Sequence, residues 1–138
     1  MTSRAAAAAT PWQAAVAERD GFALDLDLVS GFFGHGPAWS DPVAERYRYR
    51  VDAAGGGWLE LFLSPRERLA SIRVADGAVT SLHVDLTLDE VEQVGLREGP
   101  DAVTWLEVAC GRGPKATPCT VSITLRPDIL VVLGYGRR

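Results

Sequence analysis

The sequence predicts a mainly β protein: an antiparallel β-sandwich or barrel-like meander of about seven to nine strands with one short N-terminal helix. Two observations predict this class. Apolar and polar residues alternate in most segments, which is the period of a strand with one buried face. Turn-forming residues recur roughly every 8–12 positions, and no strand–helix–strand pattern interrupts them. The 138 residues fit a single domain, 1–138, in which we expect residues 1–9 to be frayed.

Composition excludes several classes of protein. Apolar residues make up 47% of the chain and charged residues 23%, which is normal for a folded protein and wrong for a disordered one. The net charge of −4 argues against general nucleic-acid binding, which requires a basic excess. No apolar run approaches the roughly 20 residues of a membrane helix, so we expect no membrane association. We therefore expect a cytoplasmic protein.

The first elements are predicted by capping and alternation. The run TPWQ supplies a threonine N-cap, a proline in the first turn and a glutamine that closes a capping box, which predicts a helix over 10–19. Residues 22–29, FALDLDLV, alternate cleanly and predict the first strand, with Asp25 and Asp27 on its polar face. The following segment, 30–42, is rich in glycine, proline and aromatic residues and is predicted to be a loop.

The later strands follow from the same alternation. They are predicted at 43–51, 58–63, 68–87 (a hairpin), 94–96, 102–110, 119–125 and 128–135. The segment 94–96 is preceded by a turn at 89–90, although a helical turn fits the same residues. The last segment, DILVVLGY, is continuously apolar, which predicts a central strand buried on both faces.

The hairpin over 68–87 has the clearest local signal, an Asp-Gly turn between two alternating runs. A three-residue loop at 75–77, with Gly77 in the left-handed conformation, puts the apolar residues of both strands on one face. This loop predicts three pairs: Val74 with Ala78, Ile72 with Thr80, and Ala70 with Leu82. The polar face then includes Arg73, His83 and Asp85.

A basic stripe is the first candidate site. Arg46, Arg48 and Arg50 share one face of the strand 43–51, and tyrosines occupy the other. Three arginines on one face can bind the carboxylates of a partner. The simpler interpretation is a solvated sheet face on which the arginines pair with Asp25 and Asp27 across neighbouring strands.

The aromatic loop is the second candidate. Its residues His35, Trp39 and Asp41 could contact a partner or line the mouth of a pocket, since Trp is enriched in binding hot spots. The loop could equally fold under the sheet as a plug. His35 is a candidate acid, base or ligand group. No metal-binding or catalytic motif is present, so we predict no metal, no cofactor and no catalytic residue.

Cys110 and Cys119 flank a Gly/Pro-rich loop and could lie opposite one another on paired strands. A disulfide is sterically possible there. A reducing cytoplasm favours two thiols instead.

Two runs resemble a known family. GPAWSDPVAERYRYRV followed by WLELFL, and VTSLHVDLTLDEVEQVGLREGPDAVTWLEVAC, resemble the bacterial immunity protein 50 family of polymorphic-toxin immunity proteins. The resemblance implies a small, cytoplasmic, non-catalytic β protein that binds and neutralises a cognate toxin. Trp39 and Asp41 are the motif positions that carry over.

We therefore predict a protein-binding module. Edge-strand pairing could also make it a homo-oligomer. Its predicted binding residues are His35, Trp39, Asp41, Arg46, Arg48, Arg50, Arg73, His83 and Asp85. The alternative function is a small-molecule-binding barrel, of cyclase or isomerase type, with a pocket in the barrel mouth. That pocket would be lined by His35, Tyr47, Tyr49 and Trp58.

Overall fold

Two antiparallel sheets and one helix form the part of the chain that the computed structural model describes, residues 21–76, 79–111, 118–126 and 128–135. The helix is α1 (Leu26–Phe33), and a 3₁₀ turn spans Pro100–Ala102. The strands are β1 (Trp39–Asp41), β2 (Arg46–Asp52), β3 (Trp58–Ser64), β4 (Leu69–Asp76), β5 (Val79–Leu88), β6 (Val91–Glu98), β7 (Thr104–Cys110), β8 (Cys119–Thr124) and β9 (Leu130–Tyr135).

The sheets are two consecutive meanders. Strands β1 to β5 form one sheet in chain order, and β6 to β9 form the other. Every neighbouring pair is antiparallel. Because β1, β5, β6 and β9 are sheet edges, the described strands do not close into a barrel. The predicted antiparallel sandwich is confirmed, and the closed barrel required by the small-molecule alternative is wrong.

The core lies between the two sheets and under α1. Its largest fully buried side chains are Tyr49, Leu59, Leu61, Leu63, Ile72, Leu106, Ile123, Val29, Val91, Val108 and Val121. The leucines of β3 and the Val121–Ile123 pair of β8 point inward as the alternation predicts. Burying one such side chain contributes about 1.5–3 kcal/mol, so these faces hold the sandwich together.

The strand predicted over 22–29 is wrong, because α1 begins inside it. Asp25 is the N-cap, and its Oδ1 accepts a hydrogen bond of 3.1 Å from the Leu28 N–H. Gly34 ends the helix with a φ of 86°, which glycine adopts without a Cβ clash. Val29 and Phe33, four residues apart, are the buried residues of the helix. The helix predicted over 10–19 lies outside the described residues.

The hairpin register differs from the prediction. Val74 pairs with Val84, Ile72 with Leu86 and Ala70 with Leu88, and the register shifts between Ala75 and Asp76. The pairing is displaced by six residues along β5. An even displacement keeps the residues from Val84 to Leu88 on their predicted faces, and it places Leu88 in the core, where it is 5% exposed. Gly77 lies outside the described residues.

The apolar run at the C-terminal end is an edge strand. We predicted a central strand buried on both sides, but β9 pairs only with β8 among the described strands. Leu130, Val132, Leu133 and Tyr135 are between 37% and 71% exposed. An apolar run shows that both faces of a strand are apolar but does not fix its place in the sheet order.

The loop predicted over 30–42 is wrong at both ends, because α1 continues to Phe33 and β1 occupies Trp39–Asp41. The remaining boundaries agree with the sequence or move by a few residues. The turn predicted at 89–90 is present, and the strand after it is longer than predicted, Val91–Glu98. Residues 42–45 form a turn, so β2 begins at Arg46 rather than at residue 43. Among the described residues, no helix is long and apolar enough to cross a membrane.

The two cysteines form a disulfide. Cys110 and Cys119 are directly opposed on β7 and β8, with Cα atoms 5.4 Å apart. This separation is typical of disulfides. The bridge links the two strands beside the loop that joins them. It replaces the two thiols that a reducing cytoplasm favours.

Candidate partner-binding face

The site is built on the outer face, which we define as the side of the β1–β5 sheet opposite the core. Alternate residues point to it because their neighbours along each strand are buried. Its members are Trp39, Asp41, Arg46, Arg48, Arg50, Asp52, Trp58, Glu60, Phe62, Ser71, Arg73, Asp85 and Thr87. The register arranges them in rows that run across the strands.

One row alternates in charge. Arg50, Glu60, Arg73 and Asp85 are consecutive cross-strand partners on β2 to β5. The Glu60 carboxylate lies 3.3 Å from the Arg50 guanidinium and 3.6 Å from that of Arg73, and Arg73 lies 3.8 Å from Asp85. Each such surface pair contributes about 0–1 kcal/mol. The main effect of the row is therefore to fix the arginine side chains in place.

Trp58 lies in the row next to this charged row, between Asp52 of β2 and Ala75 of β4. The Arg50 guanidinium carbon is 4.5 Å from the centre of its ring, and that of Arg73 is 5.8 Å away. Asp52 also contacts Arg50, at 3.1 Å. This hydrogen bond is the main cause that raises the pKa of Arg50, and the hydrogen bond to Glu60 raises it further. The Trp58 ring therefore contacts two arginines, and each of them is already paired with carboxylates.

The next row is aromatic and carries an uncompensated charge. Trp39, Arg48, Phe62 and Ser71 are consecutive cross-strand partners on β1 to β4. Arg48 lies over the Trp39 ring at 5.8 Å. Trp39 is 42% exposed and Arg48 is exposed. Among the described residues, no carboxylate forms a salt bridge with Arg48. Its guanidinium is available for a carboxylate from outside.

The margin of the face is tied to the adjacent turns. Arg46 donates two hydrogen bonds to Glu67, of 3.2 and 3.1 Å. The Ser64 hydroxyl also donates to Glu67, and these contacts, Ser64 first, lower the pKa of that carboxyl. Asp41 accepts a hydrogen bond of 3.2 Å from the Ala44 N–H and so caps the turn between β1 and β2.

Comparison with known proteins gives a structural neighbour. No family profile and no curated protein matches the sequence. A chain of the contact-dependent growth inhibition toxin–immunity protein complex from Klebsiella pneumoniae 342 superposes with a TM-score of 0.68 at 16% identity. The match covers 83% of this chain and 96% of that chain. The two chains share a fold. The predicted resemblance is thereby confirmed in the fold alone, which this chain shares with a chain of a toxin–immunity protein complex.

The outer face brings together seven of the nine predicted binding residues. They are Trp39, Asp41, Arg46, Arg48, Arg50, Arg73 and Asp85. The backbone of His83 lies opposite Ala75, an outer-face position, but its side chain lies outside the described part. His35 is elsewhere: it follows α1, its Nδ1 lies 2.8 Å from the Gly36 carbonyl oxygen, and its ring lies 6.3 Å from Phe33.

One expectation about these residues is wrong. Asp25 and Asp27 do not pair with the arginine stripe, because they lie at the start of α1 rather than on a neighbouring strand. Arg46 is instead paired with Glu67, Arg50 is paired with Asp52 and Glu60, and Arg48 has no carboxylate partner among the described residues.

Three residues of the face were missed. Trp58, Glu60 and Phe62 alternate with the buried leucines of β3, so the pattern WLELFL already places them on the opposite side. The short turn after β2 makes β3 its antiparallel neighbour. Together these signals place the three residues beside the arginines.

The residues of the small-molecule alternative do not converge. Tyr47 and Tyr49 are buried in the core, whereas Trp58 is on the outer face. The interior is filled there, because the Tyr49 ring stacks on Phe33 at 5.0 Å. In the described ranges, no group of three His, Cys, Asp or Glu residues could hold a metal ion.

Proposed function

We propose that this chain is a protein-binding module of the immunity type, which binds and neutralises a cognate toxin through the outer face of its β1–β5 sheet. The observation that carries the proposal is the pair of rows on that face. Exposed Trp39 and Arg48, which has no salt bridge among the described residues, adjoin a fixed cluster around Trp58. The structural neighbour from a toxin–immunity protein complex supports the same class.

The composition of the face fits a binding hot spot. Trp and Arg are the residues most enriched at such positions, where they are surrounded by contacts that exclude water. The charged row holds Trp58 and its two arginines in one geometry before any partner arrives. A fixed side chain loses little conformational entropy on binding, so more of its contact energy contributes to affinity.

The cytoplasm is the proposed location, as the resemblance to immunity proteins implies. The Cys110–Cys119 disulfide is a feature more typical of oxidising compartments. Location is therefore tested separately, by fractionation of the native host.

The proposal is tested by capture from the native host with tagged wild-type protein and the variants Arg48→Glu and Trp39→Ala. The wild type is expected to retain one protein in stoichiometric amount, and each variant to bind it roughly tenfold more weakly or worse. The control is Arg126→Glu, which reverses another exposed arginine without a salt bridge among the described residues, in the segment after β8 and outside the β1–β5 sheet. Thermal melts confirm that all variants are folded.

The captured protein is then expressed alone and together with this chain. Growth arrest that co-expression relieves is the expected result, and Arg48→Glu should relieve it less. The proposal is overturned if wild-type protein retains no stoichiometric partner, if Arg48→Glu and Arg126→Glu behave alike, or if the captured protein is harmless.

A further inference from the structure

The four sheet edges are not equally protected against pairing with another strand. The β1 edge is three residues long and includes Asp41. The β5 edge carries Asp85, and its pairing with β4 is irregular near the turn. The β6 edge includes Glu92, Arg97 and Glu98 and has a register shift between Val91 and Gln93. Short length, charges and bulges are the features by which proteins prevent edge-to-edge association.

The β9 edge has none of these features. It is six residues long, LVVLGY, without a charged residue or a proline. It pairs with β8 through six consecutive residue pairs with no register shift, so its other side, which no described strand pairs with, is a regular row of backbone groups. Its side chains are exposed on both faces of the sheet: Val132 is 50% exposed on the outer side and Tyr135 is 71% exposed on the core side.

We propose that β9 pairs with β9 of a second copy of this chain, antiparallel and about a two-fold axis, to form a continuous eight-stranded sheet across the dimer. A two-fold contact is self-complementary and requires a surface that does not repel its own copy. An uncharged strand meets this condition, whereas the charged edges β5 and β6 would place like charges near one another. The chain as a whole carries a charge of −4, so two copies repel each other. An uncharged edge is where this repulsion is weakest.

Both faces of the strand contribute to this contact. Pairing Val132 with Val132 of the other copy keeps like faces on the same side of the sheet, and the overlap of residues 130–134 forms about four to six backbone hydrogen bonds. On the outer side, Val132 then faces the same residue of the other copy and Leu130 faces Gly134, and on the core side Val131 faces Leu133. The dimer leaves the β1–β5 sheet uncovered, because β9 belongs to the other sheet. The inference is therefore independent of the proposed function.

The test is sedimentation velocity of the purified full chain over a concentration series, with Val132→Lys as the disrupting variant. Wild type is expected to dimerise, and Val132→Lys is expected to raise the dissociation constant roughly tenfold or more, since lysine is a common edge-protecting residue. The matched control is Val84→Lys on the β5 edge, where Val84 is 57% exposed. This control should dimerise like wild type.

A mixing experiment distinguishes pairing at β9 from a general loss of folding. Val132 is near the middle of β9, so in a two-fold pair it lies near its own copy. Val132→Lys and Val132→Glu should each be monomeric alone and form a dimer when mixed. A monomeric wild type, equal disruption by Val84→Lys, or no dimer in the mixture overturns the proposal.

Discussion

At the scale of single residues, Tyr49 joins the helix to the β1–β5 sheet through one side chain. It is fully buried, and its ring is stacked on Phe33 at an interplanar angle of 13°. Its hydroxyl lies 2.9 Å from the Ser30 hydroxyl and donates a longer bond of 3.5 Å to the Leu26 carbonyl. Burial raises the pKa of Tyr49, and this effect exceeds the opposing hydrogen bond to Ser30.

The substitution Tyr49→Phe should lower the free energy of unfolding by about 0.5–1.5 kcal/mol, because it removes the hydroxyl and keeps the ring. The control is Tyr47→Phe, which alters a buried ring of the same strand whose hydroxyl forms no hydrogen bond with another described residue. Urea unfolding near neutral pH measures both. Equal losses from the two substitutions would show that the Ser30 contact contributes nothing.

Alkaline pH provides a second measurement on the same residue. The pKa of Tyr49 is raised in the folded state, so the folded protein retains this proton at pH values where the unfolded chain loses it. Its contribution is therefore complete below about pH 10, the ordinary tyrosine value, and decreases as pH rises through the folded pKa. Wild type should lose stability more steeply than Tyr49→Phe above pH 10. Parallel profiles would contradict this assignment.

At the scale of elements, the segment FALDLDLV shows why a local pattern predicts some structures wrongly. Its leucines alternate, which fits a strand, while Val29 and Phe33 have the four-residue spacing of a helix. The residues that begin and end the helix, Asp25 and Gly34, are also visible as capping signals in the sequence. Packing of Val29 and Phe33 under the sheets decides between the two patterns, and that contact is not encoded within the segment itself.

The outer face could be predicted because, unlike in FALDLDLV, its sequence signals agree with one another. Strands β2 and β3 are joined by a short turn, and both alternate strongly, so pattern and connectivity specify one arrangement. The sequence therefore placed the three arginines correctly but not their partners, since Glu60 and Glu67 are assigned by register and turn geometry. The position of β9 was not predictable, because strand order depends on contacts between distant segments.

Substitution of the helix cap tests the assignment of α1. Asp25→Ala should cost about 1 kcal/mol of stability, because it leaves the Leu28 N–H without its side-chain acceptor. Asp27→Ala is the control: Asp27 is in the first turn of the same helix, exposed, and accepts no hydrogen bond from the described residues. Chemical denaturation compares the two. In a strand both residues would lie on one exposed face, so equal effects would contradict the helix.

At the scale of the whole molecule, the β1–β5 sheet separates folding from recognition. Its inner side packs against the β6–β9 sheet, and its outer side carries the charged and aromatic rows. The inner side is apolar, and its contribution comes from burial. The outer side is held by ion pairs that contribute little to stability each, so its residues are free to serve a partner.

Neighbouring residues of β3 test this division directly. Leu61 is fully buried in the core, and Leu61→Ala should lower the free energy of unfolding by about 2–5 kcal/mol, since it removes buried methyl groups and leaves a cavity. Phe62 is half-buried on the outer face between Arg48 and Ser71. Phe62→Ala should cost roughly half as much stability or less, and it should weaken capture of the partner as Trp39→Ala does. Urea unfolding and capture from the native host measure the two effects. If Phe62→Ala destabilises the protein as much as Leu61→Ala and leaves capture unchanged, the outer face is structural and the division between the two sides is wrong.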